Sequence, residues 1–273
     1  MRNFAFAMLL LVIPAIAGVP PAEAAAAPRV LRVCADPNNL PFSNDRREGF
    51  ENKLVELVAT ELHATVAYTW WAQRRGNVRE TLNDGQCDLI PGVGASLEML
   101  ATTRPYYRST YVAVTRADRG LDIASFDDPR LSELKIGVSM IGDDFNNTPP
   151  AHALTRRGIV DNVRGYMVYG DYARPAPQAD IVEAVASGEI DVAFVWGPVA
   201  GYFAARSPVP LAVRPMTPRF DGPQRPMVFD VSMGTRKEDR ALREEIEGVL
   251  ARRERDVKAL LASYHVPLVE DGP

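Results

Sequence analysis

From about residue 30 onward, short apolar runs alternate with segments whose apolar residues recur every three or four positions. Residues 30–35 form a run rich in branched side chains, the pattern of a strand covered on both faces. Phe50, Leu54, Leu57, Val58 and Leu62 then fall at helical spacing, so one face of residues 50–62 points inward. Residues 65–71 are branched and aromatic and predict a second strand. A short helix over 78–83 and a third strand around Leu89, Ile90 and Val93 follow. A β-α-β-α-β run of this kind implies parallel pairing with right-handed crossovers. The pattern restarts after a strand over 111–115, with strands expected at 136–140, 165–169, 190–196 and 211–213. Thr148, Pro149 and Gly158 bracket one helix, and Gly188 closes another over 181–186. Near the end, an apolar strand over 227–233 precedes one long helix whose stripe runs from Leu242 to Leu261.

This order predicts an α/β chain of two lobes joined by two crossovers, near residues 111–116 and 227–233. We expect residues 28–114 plus 230–273 in lobe I and 115–229 in lobe II. Ligands of such sheets bind outside the carboxyl ends of the strands, here between the lobes.

The first residues change the picture. Met1-Arg2-Asn3 is cationic, residues 4–17 are uncharged and apolar, and Ala22-Glu23-Ala24 offers a small-x-small cleavage site. That order predicts a signal peptide over 1–24, too short to span a bilayer, and hence an exported chain with no membrane span after its removal. In an oxidising compartment the only two cysteines, Cys34 and Cys87, are candidates for a disulfide, the alternative being two buried small side chains. A net charge of −4 with dispersed basic residues carries no nucleic-acid footprint. His63, His152 and His265 stand far apart without metal-type spacing, and Gly92-Val93-Gly94 lacks the third glycine of a dinucleotide fingerprint. No metal, cofactor or catalytic set is expected, so the chain is read as a binding protein and not an enzyme.

Several stretches carry a family likeness: Leu31-Arg32-Val33-Cys34-Ala35-Asp36, Gly49-Phe50-Glu51, Gly85-Gln86-Cys87-Asp88-Leu89-Ile90, and Gly188-Glu189-Ile190-Asp191-Val192-Ala193. With them the chain resembles the type II periplasmic solute-binding proteins of family 3, the polar-amino-acid group. Longer motifs, Asp36-Pro37-Asn38-Asn39-Leu40-Pro41-Phe42-Ser43-Asn44, Tyr68-Thr69-Trp70-Trp71-Ala72-Gln73-Arg74-Arg75-Gly76 and Thr102-Thr103-Arg104-Pro105-Tyr106-Tyr107, are similar to the quinoprotein-dehydrogenase-associated branch. The resemblance implies a periplasmic accessory of a PQQ-dependent methanol (alcohol) dehydrogenase. The alternative is the receptor of an ABC importer for a small neutral or aromatic solute.

An amino-acid receptor needs a cation for the carboxylate and an anion for the ammonium, because an unpaired buried charge costs several kcal/mol. The resemblance puts Met99 where the parent group has its arginine and Trp196 where it has its aspartate. The residues expected at the cleft, for a guest or a partner, are therefore Asp36, Asn38, Asn39, Phe42, Trp70 or Trp71, Met99, Tyr106, Phe145 and Trp196. Adjacent strand residues face opposite sides, so only one of Trp70 and Trp71 can reach a shared pocket.

Overall fold

The first apolar run becomes the strand Arg29–Ala35, and Ala64–Trp70 pairs with it in parallel, Arg29 opposite Ala64 and Ala35 opposite Trp70. The structure is a computed structural model describing residues 28–141, 147–168, 172–222 and 225–270. The expected signal peptide and Phe145 lie outside the described residues. Between the two strands the helix Phe50–Glu61 buries Phe50, Leu54 and Val58, as its spacing requires. Gly49 precedes it because a Cβ there would sit 2.0 Å from the Phe42 carbonyl oxygen. A parallel bridge between Val33 and Leu89 brings the third segment alongside, with the strand itself running over Ile90–Gly94.

The two halves of the molecule share one ten-residue strand, Tyr107–Arg116. Its first part, Tyr107 to Thr110, pairs antiparallel with Val231 to Val228 of the returning strand Val228–Thr235. Its second part, from Tyr111, pairs antiparallel with Val192–Trp196 and, on its other edge, Leu211–Pro215. The strands Ile136–Met140 and Val163–Met167 add in parallel beyond Val192–Trp196, completing a mixed eight-stranded sheet. Thus both crossovers are strands, and the sheet is continuous through them.

The cores divide accordingly. Leu31, Val33, Phe50, Leu54, Met233, Ile246 and Leu261 pack in lobe I. In lobe II, Ile136, Leu154 and Phe194 cover one sheet face, and Ile181, Val185 and Val195 the other. The helix Pro149–Arg156 starts after Thr148 with Pro149 in its first position, and Gly158 follows its end at φ +70°. The helix Asp180–Ser187 closes on Gly188 at φ +79°.

The single helix expected from Leu242 to Leu261 is two, Arg240–Arg252 and Glu254–Ser263. Arg253, at φ −103° and ψ 22°, breaks it and donates to Glu61 and Asp256 at 2.6 Å each. Both pieces keep their apolar stripe on the lobe I core, so the break is invisible in the periodicity. Among the described residues no helix is long and apolar enough to cross a membrane.

Cys34 and Cys87 form a disulfide across 53 residues, with Cα atoms 5.6 Å apart. It ties the first strand to the segment before the third, among Val78, Leu82, Ile90 and Leu100. Closing a loop of this length stabilises by about 2–4 kcal/mol. Replacing both cysteines by serine is expected to lower stability by about that amount in urea titrations; an unchanged midpoint would contradict a stabilising role.

Candidate functional site

The carboxyl end of the strand Arg29–Ala35 delivers Asp36 to the space between the lobes, where a cavity of about 560 Å³ opens. Lobe I contributes Asn38, Asn39, Phe42, Glu51 and Gly92 to its walls, and lobe II contributes Tyr166, Tyr172, Gln178 and Trp196. The shared strands add Tyr107, Tyr111 and Phe229. Trp196 lies edge-on to Tyr111 and Phe229 at ring distances of 5.3 and 5.9 Å, giving a continuous aromatic wall.

Side chains of the two lobes bond directly across the cleft. The buried Asp36 carboxylate accepts from the backbone N–H groups of Asn38 and Gln73, at 2.8 Å each, and from the Tyr172 hydroxyl at 2.5 Å. Asn38 donates to the Arg174 carbonyl at 2.8 Å and accepts from the Ala176 N–H at 3.1 Å. The Gln178 amide donates to Asn39, and the Arg74 guanidinium lies over the Tyr172 ring. Segment 172–178 is thereby latched onto the loop after the first strand. Burial, together with its bond to Asp36, raises the Tyr172 hydroxyl's pKa, so it stays a donor at neutral pH.

Glu51, in the first turn of Phe50–Glu61, is 2 % exposed, and its Oε2 has no hydrogen-bond partner. Burial, reinforced by the charge of Asp36, pushes its carboxyl up to about 8. It is therefore mostly protonated at neutral pH. Gly92 makes room for it, since a Cβ there would lie 2.0 Å from Oε1. Among the described residues no lysine or arginine lines the cavity. Arg108, behind the wall, is a bidentate partner of Asp230 at 2.6 and 2.9 Å.

Residues 31–266 match the model of the bacterial extracellular solute-binding proteins, family 3. The chain belongs to that family. It is 32 % identical to protein MoxJ of Methylorubrum extorquens, over 88 % of this chain and 81 % of that one. Identity to protein MoxJ of Paracoccus denitrificans is 31 %, covering 88 % and 89 %. The crystal structure of the periplasmic binding protein XoxJ from Methylobacterium extorquens AM1 superposes with a TM-score of 0.72 at 36 % identity, covering 88 % of this chain and all of that one.

Against the family's architecture the expected cleft residues separate into two groups. Asp36, Asn38, Asn39, Phe42 and Trp196 line the cavity. Trp70, Trp71, Met99 and Tyr106 do not. Trp70 stacks on Tyr68 at 4.4 Å against the lobe I core, while Trp71, just past the strand end, is exposed. The strand ends at Trp70, so alternation does not decide between the two, and neither lines the cavity. Met99 is 53 % exposed, in the loop after the third strand. Tyr106 turns into lobe I and donates to the Pro91 carbonyl at 3.1 Å, leaving the wall to its neighbour Tyr107.

The sequence reading missed Glu51, Tyr107, Tyr111, Tyr172 and Phe229. For Glu51 a signal existed: with Leu54, Val55 and Val58 it completes the i, i+3, i+4, i+7 inward pattern, so an acid occupied a core position. The others come together only through the crossovers and the latch.

Two outcomes follow from this geometry. Below pH 4.5 Glu51 is protonated folded or unfolded; up to about 8 only the folded chain keeps the proton, so its contribution to stability falls across that window. Glu51→Gln, uncharged throughout, should gain on the wild type by up to about 1.4 kcal/mol per pH unit between those values, read from urea titrations at stepped pH. A difference independent of pH would contradict the assignment. Asn38→Ala removes both the donor and the acceptor that hold 174–176, and should speed amide hydrogen exchange over 172–178 while the core strands keep their protection. Unchanged exchange there would show that the latch does not depend on Asn38.

Proposed function

We propose that this chain is a non-catalytic periplasmic accessory protein of a PQQ-dependent methanol (alcohol) dehydrogenase, acting in its activation or maturation. The observation that carries the reading is a family 3 cleft bridged by its own side chains, with no described cation on its wall to receive an amino-acid carboxylate. The similarity to proteins named MoxJ and XoxJ, over most of the chain, supports it. On this reading residues 1–24 direct export, and residues 28–114 plus 230–273 form one lobe and 115–229 the other.

A second reading is the receptor of an ABC importer for a small neutral or aromatic solute, favoured by the aromatic wall of the cavity. It would show as a solute-dependent rise in melting temperature, because a guest that binds only the folded state stabilises it. The accessory reading predicts that the tagged protein retrieves the quinoprotein dehydrogenase from periplasmic extract, and that deleting its gene lowers dehydrogenase activity at unchanged dehydrogenase abundance. Full activity in the deletion strain would overturn it.

A further inference from the structure

We infer that the cavity binds a small organic ammonium ion, its nitrogen held at the Glu51 carboxyl and its carbon skeleton against the wall of Tyr107, Trp196, Tyr111 and Phe229. This goes beyond the accessory reading and does not depend on it.

Among the carboxyl groups lining the cavity, Asp36 is matched by Asn38, Gln73 and Tyr172, and Asp230 by Arg108. Glu51 Oε2 is buried without any partner. An acceptor left unmade in that position is costly, and an N–H donor from a guest satisfies it. The backbone at Gly92 leaves room for this carboxyl where it stands, since a Cβ there would lie 2.0 Å from Oε1 and force the side chain to move. Asp36, which has no cationic partner among its bonds, stands on a wall without lysine or arginine among the described lining residues, which favours a cation and opposes an anion. The ring faces of Trp196 and the tyrosines carry the negative quadrupole that attracts an ammonium group.

The titratable groups acting on or responding to Glu51 are Asp36, Tyr68, Tyr106 and Tyr107, none of them cationic. The empty cavity therefore holds Glu51 protonated. An arriving ammonium ion favours the carboxylate, so the carboxyl proton leaves to solvent as the ion pair forms. Binding is thus coupled to release of one proton, and the guest lacks a carboxylate, for which the described walls supply no counter-charge.

Tryptamine, tryptophol and indole-3-acetate give closely matched skeletons carrying positive, zero and negative charge. Calorimetric titration of the whole processed protein between about pH 6 and about pH 8 should show tryptamine binding that tightens by up to about tenfold per pH unit. Heats compared in phosphate and in ACES, which buffer there with different ionisation enthalpies, should report about one proton released at the acid end of that range. Tryptophol should bind at least about tenfold more weakly, and indole-3-acetate not at all. Glu51→Gln should remove the pH dependence and bring tryptamine down to the tryptophol level. Equal binding of tryptophol, a pH-independent affinity for tryptamine, wild-type affinity in Glu51→Gln, or no tryptamine binding at any pH would each overturn the inference. The charge series and the pH slope are read on the wild type, so they stand even if the variant does not fold.

Discussion

The closed arrangement of this molecule depends on a carboxylate with three donors, one of which comes from the opposite lobe. Asp36 stands at the end of the first strand and is fixed by the backbone N–H groups of Asn38 and Gln73. Its remaining bond, from the Tyr172 hydroxyl, reaches across the cleft. In a receptor cleft the guest supplies such cross-lobe bonds. Here the chain supplies them, and hydrogen bonds to a charged group contribute about 1.5–3 kcal/mol each. A cleft held this way has less need of a guest to close it.

Other contacts between the lobes are of a different kind. The shared strand Tyr107–Arg116 belongs to both lobes, and the last segment of the chain lies against it, with Ser109 donating to the Pro267 carbonyl at 2.6 Å. Gly201, in the helix Gly197–Ala204, packs where a Cβ would lie 1.9 Å from the His265 carbonyl oxygen, and Tyr202 stacks on Tyr264. Apart from the Ser109 bond, these contacts are backbone pairing and close packing, which water does not replace. The latch around Asp36, Asn38 and Asn39 is made of polar side chains, for which water is an alternative partner. Any opening of the cleft must therefore break the latch and leave the shared strands intact.

How much of this was legible follows from which interactions are local. The first helix, the strands on either side of it and the glycine-terminated helices of lobe II all leave marks within a few residues, whereas the cysteine pairing spans 53 residues and only the even count in an exported chain pointed to it. The break at Arg253 leaves none, since no glycine or proline marks it and Glu61, its partner, lies on another helix. Asp36, Asn38, Asn39 and Phe42 were legible because one loop carries them all. Trp70 and Trp71 misled because an aromatic pair at a strand end reads the same whether it meets a cleft, a core or solvent. Glu51 was open to the period of its own helix, yet an acid in a first turn is ordinarily explained by the helix dipole. Its near-complete burial in the structure shows that it faces inward.

This crevice does not accommodate a zwitterion, because no described wall residue is a cation that could receive its carboxylate. The decisive measurement is titration calorimetry of the protein against each standard amino acid. No binding up to about millimolar concentration is expected for any of them. Micromolar binding of one, accompanied by a rise in melting temperature, would contradict it.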